Sequence, residues 1–398
     1  MAIGDLAAAQ PRLTEAVSRL GTESAFAVLA RARELERQGR DIIHLEIGEP
    51  DFETPEHVAR AGIEAIRSGH THYCQTPGLP ELRGAAATHL TTTRRIDVSP
   101  ENVLVGNGAK PFLFYTVLAT CGPGDEVVYP DPGFPIYESA VRFAGATPVP
   151  LPLREERGFS FDPAELKALL SARTRLVILN APQNPTGGVI PAADLEAAAA
   201  AILETPAWVL SDEVYCRITY DVESSSIASL PGLLERTVLL DGFSKTFAMT
   251  GWRLGYAAVP EPLVDPLTRL IVNSTSCVPP FVQLAGVAAL KGPQEAVTGM
   301  VAEFRRRRDY LVPALNAIPG VTCVEPGGAF YVFPNVGGVP MPADELAERL
   351  LDEAGVAVLA GSAFGSHAPD NIRISYATSL PNLERAVERI AAFVDQLS

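Results

Sequence analysis

The chain has 398 residues, 47% hydrophobic and 20% charged, enough apolar side chain to offset the entropy of ordering and to exclude a mainly disordered chain. At about 150 residues per domain, the length predicts two to three domains, or one large α/β domain with a smaller companion. A formal net charge of −15 would repel a phosphate polyanion, so nucleic acid is not an expected partner.

The N-terminus, MAIGDLAAAQPRLTEAVSRL, lacks a basic region followed by a long apolar core, so no signal peptide is expected. Residues 12–39 show helical apolar spacing that stops at Gly39. IIHLEIG (42–48) is a short β-rich run, and EPDFETPEH after it is a turn with two prolines. Strand candidates follow at 103–106, 126–129, 176–179, 208–211, 238–241 and 254–259. Helical patterns separate most of them, at 80–93, 109–120, 135–144, 163–170 and 192–203. Short apolar strands with little polar alternation suit a sheet covered on both faces, and their alternation with helices predicts a mainly parallel sheet. Leu270 to Leu290 carries no charge, but Asn273, Ser274, Ser276, Pro279, Pro280 and Gln283 interrupt it; it reads as a loop entering a buried helix, and no membrane is expected.

From about residue 290 the texture changes. A long amphipathic pattern covers 294–316, followed by GGAFYVF (327–333), a helix at 343–354, VAVLA (356–360), NIRISYA (371–377) and a terminal helix to 396. This reads as an α+β unit with its own small sheet. The basic run Arg305 to Arg308 falls within the long helix and is expected on a solvated face. Five well-separated cysteines of odd count predict reduced thiols and a cytoplasmic protein. The six histidines show no ligand spacing, so no metal is expected.

The most informative segment is DGFSKTFAMTGWRLGYA (241–257). Lys245 follows a strand, Ser244 precedes it and Arg253 lies eight residues on. A hydroxyl and a guanidinium around a lysine make a phosphate site around an amine nucleophile, which is what pyridoxal 5'-phosphate requires. NAPQNPTGG (180–188) places Asn184 after one strand, and LSDEVYCR (210–217) places Asp212 and Tyr215 after the next. Open parallel sheets bind ligands at that edge. A carboxylate facing a pyridine nitrogen keeps it protonated, and an amide and a phenol can hydrogen-bond the ring oxygen. GNGAK (106–110) opens a helix whose free N–H groups can hold a phosphate.

With these segments in hand, GFSKTFAMTGWRLG resembles the lysine-attachment signature of class I pyridoxal-phosphate aminotransferases. GEPDF (48–52), Tyr73 with PGLPELR (77–83), GAK (108–110), NPTG (184–187), SDEVY (211–215) and RISYATS (373–379) extend the resemblance from about residue 20 to the end. It is nearest the bacterial-type branch labelled aspartate aminotransferase. The resemblance implies the fold type I transferase fold: α/β, with a large domain built on a mainly parallel, seven-stranded-type sheet at 56–289. A small α+β domain would be formed by 1–55 together with 290–398.

It also implies roles. Lys245 would form the Schiff base and move the proton, Asp212 would pair with the ring nitrogen, and Asn184 and Tyr215 would contact the ring oxygen. Gly108, Ala109 and Lys110 would offer N–H groups to the phosphate, with Ser244 and Arg253. Phe134 stands where the family carries an aromatic that stacks on the cofactor or borders the substrate. Arg373 would hold the substrate α-carboxylate, assisted by Asn184 and the backbone of Gly48. Tyr73 resembles a tyrosine that reaches the phosphate of the neighbouring subunit, which implies a homodimer. The implied reaction is ping-pong transfer of an amino group between an L-amino acid and a 2-oxo acid.

The Lys110 side chain is free to meet a distal carboxylate, which favours glutamate, then aspartate, as donor. Glu23, in GTESAF (21–26), would oppose an acidic side chain and welcome a cationic or neutral polar one. Two alternatives share the motifs: a C–S lyase of the same fold, and a pyridoxal-phosphate-binding regulator without turnover.

Overall fold

The computed structural model describes residues 12–397. Residues 1–11 and 398, part of the expected small domain and of the stretch read for a leader, lie outside them. An eight-stranded sheet runs in the order Val103–Gly106, Gly255–Ala258, Thr237–Gly242, Trp208–Asp212, Thr174–Asn180, Glu126–Asp131, Thr147–Arg154, Ser160–Phe161. The five strands from Thr237–Gly242 to Thr147–Arg154 are parallel. Gly255–Ala258 runs against both its neighbours, and Ser160–Phe161 against its one. This is the α/β sheet anticipated from sequence; the eighth strand is the two-residue Ser160–Phe161.

Strand alternation sends side chains to both faces, and both faces are covered. Val103, Val105, Leu239 and Tyr256 pack with Leu82, Ala86 and Leu90 of helix Pro80–Arg94 and with Val282 and Ala285 of helix Pro280–Lys291. Leu104, Leu176, Leu210 and Leu240 pack on the other face with Phe112, Leu113 and Val117 of helix Lys110–Thr120 and with Leu267 and Ile271 of helix Glu261–Ser274. Each fully buried leucine or valine contributes about 1.5–3 kcal/mol of transfer free energy. A separate core gathers Phe304, Leu311 and Leu315 of helix Glu295–Asn316, Leu383 and Ile390 of helix Leu380–Asp395, and Tyr331, Ile372 and Ile374 of a three-stranded sheet. Ile43 and Leu45 join that core, and Ile43–His44 pairs in parallel with Val356–Ala357.

Several elements differ from their sequence reading. The helical pattern of 12–39 breaks into Glu15–Ser18 and Ser24–Arg37. Gly21 N–H donates to Ser139 Oγ (2.9 Å) and Arg19 Nε to the Arg142 carbonyl (2.9 Å), so tertiary bonds hold the break. Helix Glu261–Ser274 runs into the stretch from Leu270 that reads as a loop in sequence, and helix Glu56–Arg67 and strand Thr147–Arg154 carried no reading. That strand contains Pro148, Pro150 and Pro152, which face Val127, Tyr129 and Asp131 in register. Alternate residues point their N–H groups to the same side, so all three missing donors fall on the side away from the parallel neighbour. At the opposite edge, the Val105 N–H donates to the Pro77 carbonyl (2.9 Å) and Arg83 Nε donates to the Val103 carbonyl (2.9 Å).

The basic run is a correction. Arg305 and Arg306 are exposed, but Arg307 and Arg308 are buried. Arg307 pairs with Asp51 (2.7 Å) and Glu303 (2.9 Å), and Arg308 with Asp221 (2.8 Å) and Asp309 (2.7 Å). The five cysteines are free thiols. None of the described helices is long and apolar enough to cross a membrane, and among the described residues no group of three metal-binding side chains comes together.

Candidate active site

Strands Val103–Gly106, Thr174–Asn180, Trp208–Asp212 and Thr237–Gly242 end at one edge of the sheet. The segments after them converge on a cavity of about 470 Å³. Its lining includes Gly48, Ala109, Lys110, Phe134, Asn184, Asp212, Tyr215, Ser244, Lys245, Arg253 and Arg373. With Glu23, which also lines it, twelve of the fourteen residues singled out in the sequence therefore meet in one place. Gly108 lies just behind the wall, and Tyr73 lies elsewhere.

Asp212 ends its strand and is buried. Its carboxylate accepts from the Tyr137 hydroxyl (2.7 Å) and, weakly, from the Val214 N–H (3.5 Å). Burial pushes its pKa up to about 6, against the lowering effect of Tyr137. A buried carboxylate with so few donors is suited to a cationic ligand group, which would pull the pKa back down.

Lys245 sits in the short helix Phe243–Thr246 directly after a strand. Its ammonium donates to the Gly48 carbonyl. Burial, with Arg373, Arg253 and Lys110 nearby, lowers its pKa to about 8 against the pull of Glu49. An amine in that range is partly neutral near physiological pH and can act as a nucleophile or a proton carrier.

Helix Lys110–Thr120 opens toward the cavity with the Gly108 and Ala109 turn before it. Gly108 has φ +90°, and a Cβ there would stand 2.6 Å from Arg253 Nη2, so only glycine lets the guanidinium lie against the turn. Arg253 is anchored through Nη1 to the Thr250 carbonyl (2.9 Å), and Ser244 lines the same end. A helix N-terminus, a hydroxyl and a guanidinium form an anion seat. An anion seat, an amine of lowered pKa and an under-donated carboxylate around one cavity fit pyridoxal phosphate.

Arg373 is buried on strand Ile372–Ser375. Nη1 donates to Asn184 Oδ1 (2.9 Å) and Nη2 to the Glu46 carbonyl, while Nε is buried without a partner. The guanidinium lies 4.6 Å from the Tyr331 ring centroid and 4.9 Å from that of Phe364. A cation with bonding capacity left over, in a cavity wall, suits a carboxylate.

Three contributors were not singled out in the sequence. Tyr137 holds Asp212. Tyr331 touches Tyr215 hydroxyl to hydroxyl at 2.8 Å and supports Arg373. Glu46 holds Arg373 through its backbone. Tyr137 lies three residues after Phe134, in the first turn of helix Ile136–Ala144, and that placement was a readable signal. Tyr331 was read only as part of a strand.

At the rim, Lys110 pairs with Glu23 and lies 5.1 Å from the Phe134 ring centroid. Tyr73 is 92% exposed and flanks a shallow pocket with His72, Cys277 and Pro280, apart from the cavity.

Comparisons with known proteins agree with this chemistry. A family model described as "Aminotransferase class I and II" matches residues 40–390. The chain is 41% identical over 391 residues to an aspartate aminotransferase of Geobacillus stearothermophilus, covering 96% of this chain and 99% of that one. It is 40% identical over 399 residues to an aspartate/prephenate aminotransferase of Cereibacter sphaeroides, covering 97% and 99%. The crystal structure of the aspartate aminotransferase from Rhizobium meliloti superposes with a TM-score of 0.93 at 38% identity, covering 98% of this chain and 100% of that one.

Proposed function

The chain belongs to the class I and II aminotransferases, pyridoxal-phosphate enzymes, and on that premise we propose that it moves the amino group of a dicarboxylic L-amino acid, glutamate or aspartate, to a 2-oxo acid. The observation that carries this reading is the shared cavity of Lys245, Asp212 and Arg373, with Lys110 at its rim. The aspartate specificity named for the relatives supports the donor class.

Bound pyridoxal phosphate supplies an electron sink that acidifies the substrate Cα–H. Asp212 would pair with its ring nitrogen, and Asn184 and Tyr215 with its ring oxygen. The N–H groups of Gly108, Ala109 and Lys110, with Ser244 and Arg253, would hold the phosphate. Phe134 would cover the cofactor or border the substrate. Arg373 binds the substrate α-carboxylate in a bidentate fork, with Asn184 and the Gly48 backbone fixing its orientation. Lys245 carries a proton at Nζ: burial lowers its pKa to about 8, so the amine is partly neutral and can take up the Cα proton. The first 2-oxo acid leaves before the second enters, because both need Arg373.

Residues 56–289 make the cofactor-binding domain in this reading, and 1–55 with 290–398 the smaller one. The protein works as a homodimer in the cytoplasm, Tyr73 of one protomer reaching the phosphate site of its partner. The exposure of Tyr73 supports the dimer, and five free thiols support a reducing compartment.

The test is a half-reaction screen: cofactor-loaded protein mixed with each amino acid while the visible absorbance is followed. Glutamate or aspartate should give the fastest change, and Lys245→Ala should abolish both the change and turnover. A Lys245→Ala protein that keeps wild-type turnover refutes the assignment.

A further inference from the structure

Glu23 precedes helix Ser24–Arg37 at the position where a side chain commonly caps the helix, yet it makes no cap hydrogen bond. Its carboxylate turns to the cavity and pairs with Lys110. Its side chain is 18% exposed, against 44% for Lys110. Its charge is also felt at Arg373, where it helps to offset the effect of burial on the guanidinium. The bonds of Arg19 and Gly21 to helix Ile136–Ala144 fix the chain just before it. A carboxylate of the protein thus rests on the rim cation, within electrostatic reach of Arg373.

We propose that Glu23 is a tethered counter-ion for Lys110: while it is in place the cavity accepts L-amino acids with uncharged apolar side chains, and dicarboxylic substrates enter by displacing it. The proposal rests on Lys110 being the seat of the distal carboxylate. An apolar side chain placed beside a bare ammonium would strip its water and leave the charge unpaired. Pairing with Glu23 removes that penalty. The remaining walls then suit an apolar group, since Ala25, Phe26, Ile47, Phe134 and Tyr331 line them. A dicarboxylic substrate exchanges one carboxylate on Lys110 for another, so its net gain there is small. One cavity thereby serves two side-chain classes, with weaker binding of the acidic class as the cost.

The experiment compares wild type, Glu23→Gln, Lys110→Met and the double variant, all cofactor-loaded. Two non-reacting probes, succinate and 3-phenylpropionate, are titrated by visible absorbance, and half-reaction rates are measured with aspartate and phenylalanine. Glu23→Gln should bind succinate at least tenfold tighter and 3-phenylpropionate several-fold weaker, and the aspartate-to-phenylalanine rate ratio should rise in step. In the Lys110→Met background, Glu23→Gln should no longer weaken 3-phenylpropionate. Succinate binding that is unchanged or weaker in Glu23→Gln overturns the counter-ion role. Succinate binding untouched by Lys110→Met overturns the distal seat beneath it, and a wild type unresponsive to every amino acid overturns the proposed reaction itself.

Discussion

Asp212 and Glu213 are adjacent, both buried and both raised in pKa by burial, yet they lie in regions built on opposite principles. Glu213 points into an ionic cluster under the sheet edge. It accepts from Arg94 (3.2 Å), Ser211 (2.8 Å) and Ser226 (2.5 Å), and Arg94 also pairs with Asp241, which accepts from Tyr256 (3.0 Å). Every charge there has its partner within the chain. Asp212 has one good donor, Tyr137, and faces a cavity. The lesson concerns satisfaction: a buried charge with a full set of internal partners serves the fold, and one left short is held for a ligand.

Three substitutions or titrations sharpen that contrast. The largest effect should come from Arg94→Met. It strands Glu213 and Asp241 without a cation, and stability should fall by about 3–5 kcal/mol in denaturant unfolding, with turnover per folded molecule nearly unchanged. If turnover collapses while stability holds, the cluster belongs to the chemistry and the contrast fails. Asp212→Asn should do the reverse: turnover down by about 10²–10³, the loss expected on removing one preorganised electrostatic group, with unfolding of the cofactor-loaded protein barely altered. A loss below tenfold would mean that another group serves the ring nitrogen.

The smallest effect is a pH dependence. Folding raises Asp212 to about 6, so the folded, cofactor-free protein holds that proton more tightly than the unfolded chain. The resulting stability is complete below about pH 4 and is lost as pH climbs through 6, by up to about 3 kcal/mol. Asp212→Asn should flatten that slope, and loading the cofactor should flatten it too. Tyr137→Phe removes the donor that favours the charged form, so the same transition should move to higher pH. Identical slopes in all four samples would show that Asp212 does not titrate there.

The difference between the regions also explains what the sequence disclosed. Lys245, Asp212, Asn184 and Arg253 stand in short contiguous motifs after apolar strands, and local order alone announces such a site. Most of the sheet was readable for the same reason, since six of its strands contain unbroken apolar runs. The Glu213 cluster was invisible because Arg94, Glu213 and Asp241 come from segments more than a hundred residues apart or on different strands. Arg307 and Arg308 misled likewise: helical position suggested solvent, while Asp51 and Asp221, distant in sequence, draw them inside. Thr147–Arg154 escaped notice because three prolines in eight residues argue against a strand unless it lies near an edge.

Those prolines bear on how the chain avoids its own copies. A sheet edge with free N–H and C=O groups templates the addition of foreign strands, the route to aggregation during folding. Here both edges are closed by different means. Pro148, Pro150 and Pro152 leave one side of their strand without the donors a newcomer would need, and Ser160–Phe161 covers its end. At the other side Pro77 and Arg83 occupy the Val105 amide and the Val103 carbonyl before a stranger can. The largest sheet of the molecule is finite by construction, and folded copies that meet find little unpaired backbone along its edges to extend.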